Sequence, residues 1–220
     1  MVSFLHGPLL IIGRGGFGTE TVEVVRSINS VGGAIEIVGI ADDDPSTHGT
    51  ERLGVPVIGG IEEAAHRVRD AALVVTTGNP SSFDSRRRIV ERLGEEDARY
   101  ATLVHPTAVV PPSARLGVGC VVHANVVMTA DVVVGRHVVM MPAAVLTHGD
   151  RVGDYVTIAS GAMLAGEVAI GSGAYVGAGA LIRERVSIGE GSLIGMGAIV
   201  LADVPPGEVW AGVPAAPLRT

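Results

Sequence analysis

LTHGDR VGDYVT IASGAM LAGEVA IGSGAY VGAGAL IRERVS IGEGSL IGMGAI, residues 146–199, divides into hexads that each open on Leu, Val or Ile. The same column runs back to Val104 and on to Val200, admitting Met128 and Met140. Four positions after each aliphatic residue stands Ala, Ser, Cys or Val, and Asp150 is the one exception. A short period held without slippage for about a hundred residues is the mark of a solenoid, and a period of six is that of a β-helix.

The period follows from a coil of three short flat faces joined by three corners, each face sending one aliphatic side chain into a narrow prism. Large rings do not fit such an interior, in keeping with an aromatic content of 3%. The second inward position is correspondingly small at Ala108, Ala114, Cys120, Ala144, Ala162, Ala174, Ala180, Ser192 and Ala198. Gly117, Gly135, Gly153, Gly171, Gly177, Gly189 and Gly195 follow their aliphatic residues directly and are expected to help the chain turn. Three hexads make an 18-residue coil, so residues 18 apart are vertical neighbours at the strand spacing of about 4.8 Å.

Outward from the repeats, the 220-residue chain has room for one large or two small domains. Its mean hydropathy of +0.44 is spread as one residue in six rather than gathered into a membrane-spanning run. The apolar stretch Pro8 to Ile12 is too short for a signal-peptide core, and a cytoplasmic protein is expected. The single cysteine, Cys120, excludes an internal disulfide and reads as core filler. A net charge of −7 without a basic cluster argues against nucleic acid. The run Arg86-Arg87-Arg88 reads as a solvated helix face.

Before the repeats, PLLIIG (Pro8 to Gly13) reads as a buried strand, followed by GRGGFG (Gly13 to Gly18) and a helix from Thr19 to about Ser27. Further strands are expected at Ile35 to Ile40, Ala71 to Thr76 and Tyr100 to Val104, with a helix through Arg86 to Leu93. Strands alternating with helices imply a small parallel α/β sheet. GRGGFG between strand and helix brings backbone N–H groups and a helix N-terminus to a phosphate, and Asp42 to Asp44 end the second strand where sugar hydroxyls are taken. A glycine turn serving packing alone is the alternative. Only one such half fits before the repeats, which favours a mononucleotide or nucleotide sugar over NAD.

The hexads resemble those of the hexapeptide-repeat acyltransferases. With the glycine loop, the Asp-Asp strand end, the Gly-Asn turn, His105-Pro106 and the closure Gly212 to Ala215, the whole chain resembles the bacterial acetyltransferases of nucleotide-linked amino sugars and the related sialic acid O-acetyltransferases. The resemblance implies an α/β nucleotide-sugar domain over 1–103, a Rossmann-like half, followed by an all-β left-handed parallel β-helix over 104–220. It implies acetyl-CoA as acyl donor, no metal, and a homotrimer with active sites between adjacent β-helices. Carried over by position, coenzyme contacts fall on Thr157, Gly166, Ala178 and Met196. Nucleotide-sugar contacts fall on Gly15, Gly16, Phe17, Asp42, Asp43, Gly78 and Asn79. Phe17 replaces a histidine common in the family loop and offers a ring for stacking.

Acyl transfer needs a base for the acceptor proton and donors for the oxyanion. Of seven histidines, His6, His48 and His66 suit surface roles, His105 belongs to the entry motif, and His123 and His137 read as exposed on the outside of the prism. His148 stands where the family carries its general base. Its neighbours one coil away, Gly166 and Ala130, are small and leave a notch beside the ring. Asp150, the charged exception in the inward column, either hydrogen-bonds the His148 ring or caps amides at the corner of the coil. Two residues depart from the family: Gly149 stands where an acidic residue usually follows the base, and Met141 where an asparagine usually contacts the acceptor. The reading is therefore a sugar N- or O-acetyltransferase, with a catalytically inactive nucleotide-sugar-binding scaffold as the rival. A zinc-dependent carbonic anhydrase on the same solenoid needs a close histidine pair, which His137 and His148 do not form, and an NAD enzyme rests on GRGGFG alone.

Overall fold

The computed structural model describes residues 6–218; Met1 to Leu5 and Arg219 to Thr220, the outer ends of the two expected domains, lie outside them. The first hundred residues build β1 (His6–Ile12), α1 (Gly16–Ser30), β2 (Ala34–Ala41), β3 (Glu51–Arg52), β4 (Val55–Gly59), α2 (Ile61–Arg67), β5 (Ala72–Val75) and α3 (Ser85–Leu93). The sheet order is β3-β4-β2-β1-β5, parallel throughout except for the β3–β4 hairpin, which the sequence reading missed. Leu9 to Ile12 are fully buried because the sheet is covered on both sides. α1 begins three residues earlier than expected and buries Val22, Val24, Val25 and Ile28 against one side; α2 and α3 cover the other.

The chain passes straight into the second architecture. Tyr100 still bridges to Leu73, while Leu103–Val104 already pairs with Val121–Val122. From there two-residue strands stack in parallel at a register of 18, as in Val133↔Arg151 and Met163↔Leu181, and form a left-handed β-helix with three faces. The docked face carries Val121–Val122, Val139–Met140, Thr157–Ile158, Tyr175–Val176 and Leu193–Ile194 and is met by the α/β domain, through residues such as Phe83 and Arg86. The bare face carries Val127–Met128, Val145–Leu146, Met163–Leu164, Leu181–Ile182 and Ile199–Val200. The mixed face carries Arg115–Leu116, Val133–Val134, Arg151–Val152, Ala169–Ile170 and Ser187–Ile188. The aliphatic and small columns fill the prism as one continuous core, with Cys120 inside it.

The turning residue is not the one expected. Positive φ recurs every six residues at Gly119, Asn125, Asp131, His137, Ala143, Gly149, Tyr155, Gly161, Glu167, Gly173, Gly179, Arg185, Gly191 and Gly197, three places after the aliphatic residues from Leu116 to Ile194. The glycine row from Gly117 to Gly195 has no positive φ; a Cβ there would meet the coil above, as at Gly153, 2.6 Å from Ser172 N. Those glycines permit close stacking, and the corners are turned elsewhere.

Arg86 also departs from its expectation. Arg87 and Arg88 face solvent in ion pairs with Glu91 and Asp84, but Arg86 is 1% exposed. Its guanidinium donates to Thr77 O (2.8 Å) within the α/β domain, and to His137 O (2.7 Å), Tyr155 O (2.9 Å), Val156 O (3.2 Å) and Thr157 Oγ1 (3.0 Å) on the β-helix. Burial pulls its pKa down to about 10. Among the described residues it has no carboxylate partner; five acceptors satisfy the charge instead.

Candidate active site

The glycine loop lies at the carboxyl ends of β1, β2 and β5, where open α/β sheets receive ligands. Gly13 (φ +105°) donates to Ala41 O at 2.8 Å, and Thr76 Oγ1 donates to Ile12 O and Gly13 O, tying the three strand ends together. Gly15 and Gly16 are exposed at the start of α1, with open space where a side chain would stand. Asp42 accepts from Arg14 N (2.9 Å) and Asp44 N (3.0 Å), so its carboxylate lies against the loop. Asp43 turns the other way: it accepts from Ile61 N at the start of α2 and pairs with Arg92 of α3 at 2.6 Å. Gly78 (φ +123°) sits above the Arg86 guanidinium, and Asn79 accepts from Ser81 N. The structure thus gathers Gly15, Gly16, Asp42 and Gly78 with Asn79, and gives Asp43 a structural role.

Phe17 packs its ring 5.7 Å from that of His123, at the corner between the docked and bare faces. His123 (3% exposed) and His137 (1%) are therefore not the surface residues expected; the α/β domain covers them. His137 lies edge-on to Tyr100 at 4.7 Å and stacked on Tyr155 at 5.2 Å. Burial pulls both imidazoles down to about 4, so they are neutral near pH 7.

His148 occupies the opposite corner, between the bare and mixed faces, and is exposed. The expected notch is filled by the ring itself: a Cβ on Gly166 would strike Cε1 and Nε2 of the imidazole. Asp150 is fully buried; Oδ2 accepts from Thr147 N (2.7 Å) and Oδ1 from Val168 N (2.9 Å). It caps amides on two coils and makes no hydrogen bond to the His148 ring. Burial pushes its carboxyl up to about 6, opposed by the two amides and by His148.

The four residues carried over as coenzyme contacts fall in three places. Gly166 lies under His148, whereas Ala178 and Met196 (80% exposed) stack on the far corner across the bare face. Thr157 is 5% exposed on the docked face, and its hydroxyl is taken by Arg86. That corrects its assignment as a coenzyme contact, since the α/β domain covers it. Among the described residues no cluster of His, Cys, Asp and Glu has metal-binding geometry, and no helix is long and apolar enough to cross a membrane.

Residues 8–93 match the family described as the PglD N-terminal domain. The acetyltransferase domain of PglB from Neisseria gonorrhoeae, solved with acetyl coenzyme A, is 32% identical with a TM-score of 0.83, over 97% of this chain and 100% of that one. GDP-perosamine N-acetyl transferase from Caulobacter crescentus, solved as a histidine-to-alanine variant with CoA and GDP-perosamine, is 31% identical with a TM-score of 0.85, over 100% of both chains. This chain belongs to the nucleotide-sugar acetyltransferase family. UDP-N-acetylbacillosamine N-acetyltransferase of Bacillus subtilis is 31% identical over 115 residues, a match spanning 52% of this chain and half the length of that family member.

Proposed function

We propose that this protein moves an acetyl group from acetyl-CoA to the amino group of a nucleotide-linked sugar, with His148 as the general base. The observation that carries the reading is the exposed imidazole laid over Gly166, in a chain that aligns end to end with a GDP-perosamine N-acetyl transferase. The sugar nitrogen attacks the thioester carbon, a C–N bond forms, and the oxyanion is held by amide N–H groups. The imidazole takes the proton from nitrogen; as the C–S bond breaks, the thiolate of coenzyme A leaves and receives that proton from the imidazolium, which restores the base. Asp150 supports this through the backbone, fixing Thr147 N and Val168 N on either side of the ring.

Within one chain the bare face separates His148 from the glycine loop and from Ala178 and Met196. That face is a column of Val109 (53% exposed), Val127, Val145, Met163 (48%), Leu181 (42%) and Ile199, with no charged residue in it. A neighbouring copy seated there brings the two corners together, which supports a homotrimer with shared sites.

The test is incubation with acetyl-CoA and a panel of UDP-, GDP- and dTDP-linked amino sugars, with products read by mass spectrometry. His148→Ala is expected to abolish acetylation while coenzyme A still raises the melting temperature. Turnover retained in that variant refutes the base. Coenzyme binding without acetylation of any amino sugar by the parent favours the inactive scaffold, the rival that Gly149 and Met141 motivate.

A further inference from the structure

Among the described residues Arg86 is the largest fully buried side chain, and it has no carboxylate partner there. Burying a charge is costly, and arginine, with the planar five-donor fork of its guanidinium, is the side chain that can serve the acceptors around it at once. The hydrogen bonds of Arg86 have a direction. On one side lies Thr77 O, the last carbonyl before Gly78 and Asn79, with Gly78 seated on Nη1. On the other lie His137 O and Tyr155 O, equivalent corner positions of two successive coils, and Thr157 Oγ1 beside them. One side chain therefore joins the end of β5, where the glycine-loop crevice opens, to the scaffold that carries the base. The ion pairs between the two parts, Arg87–Glu190 at 3.4 Å and Arg136–Asp97 at 2.7 Å, are exposed and of little strength, and Thr102 Oγ1 donates to Gly117 O at 3.1 Å next to the chain junction itself.

We propose that Arg86 is a positioning residue for acetyl transfer: it sets the height and tilt of the nucleotide-sugar crevice on the β-helix, and so where the acceptor nitrogen arrives. The inference rests on the function proposed above. A tethered substrate reacts at a point fixed by its anchor, and a displacement of about 1 Å at the reacting atoms costs on the order of 100-fold in rate. Arg86 is buried behind Gly78 rather than open to the crevice, so replacing it by lysine is expected to leave both binding sites occupied and to misalign one with the other.

The experiment compares the parent with Arg86→Lys, which keeps the charge and loses the fork, and with Thr157→Val, which removes one acceptor and preserves shape. At saturating nucleotide sugar and acetyl-CoA, kcat is expected to fall roughly 10- to 100-fold in Arg86→Lys, and about two- to five-fold in Thr157→Val from loss of a single charged hydrogen bond. Calorimetry with coenzyme A and with the matching nucleoside diphosphate is expected to give full stoichiometry and dissociation constants within about two-fold of the parent, since neither anchor is altered. An unchanged kcat in both variants overturns the proposal. So does a loss of kcat matched by a loss of binding stoichiometry, the result of a residue that only holds the fold. Absence of turnover in the parent refutes the function on which the inference rests, whereas an active parent with an unaffected Arg86→Lys variant refutes the clamp alone.

Discussion

Replacing Asp150 by asparagine isolates the cost of a buried carboxylate. The side chain is fully buried, and its carboxyl is pushed up to about 6 in the folded protein against an ordinary value near 3.9. A raised folded value means that the native state holds the proton more tightly than the unfolded chain. The stabilisation is complete below about pH 4 and is lost as pH rises through about 6. A difference of about 2 units at about 1.4 kcal/mol each makes the loss about 3 kcal/mol. Asp43 and Asp44, whose pKa values are lowered, slope the other way, so the readout is the difference between parent and variant rather than either curve alone. Urea unfolding followed by fluorescence of Trp210, the only tryptophan, gives that difference at each pH. Parent stability relative to Asp150→Asn is expected to drop by about 3 kcal/mol between pH 4 and pH 7.5. A difference that stays constant to within about 0.5 kcal/mol across that range refutes the claim that burial governs this carboxyl.

Gly166→Ala places a methyl group where the His148 ring lies; acetylation is expected to fall at least about 10-fold, with the melting temperature changed by only a few degrees, because the ring is exposed and can swing away. A parent-like kcat there shows that the ring does not need this seat. Leu181→Glu sets a charge in the bare apolar face and is expected to give monomers in sedimentation velocity, with acetylation lost as the shared sites come apart; an undissociated, active variant places the interface elsewhere.

The β-helix was legible because its interior admits so few shapes. A prism that takes one aliphatic and one small residue per six leaves a periodic record, and the 18-residue register follows by arithmetic. The same logic marked Asp150 as needing partners, though only coordinates show that both its oxygens go to amides. What escaped the reading lies on the outside of the solenoid, where the sequence carries no sign of what is covered. His123 and His137 look like surface residues until the α/β domain is set upon them, and Arg86 looks like its two exposed neighbours because its acceptors are distant carbonyls. One signal was available: rings barred from the prism must pack elsewhere, and Tyr100, Tyr155 and Tyr175 contact His137 or Phe83 between the two parts. The glycine row was read for the wrong property, since composition shows that a side chain is missing and not whether torsion or crowding forbids it. The β3–β4 hairpin is too short, and too interrupted by Pro56, to leave a period.

The corners of the solenoid also constrain how its length can change in descent. Loss or gain of eighteen residues moves everything downstream by one storey, about 4.8 Å, and returns every side chain to its own wall. An indel of six keeps the hydrophobic column intact but rotates the upper storeys by a third of a turn. If it fell between His148 and Ala178, it would carry Ala178 and Met196 to a different edge while leaving a well-packed protein. In this architecture stability tolerates steps of six, whereas the alignment of edges tolerates only steps of eighteen.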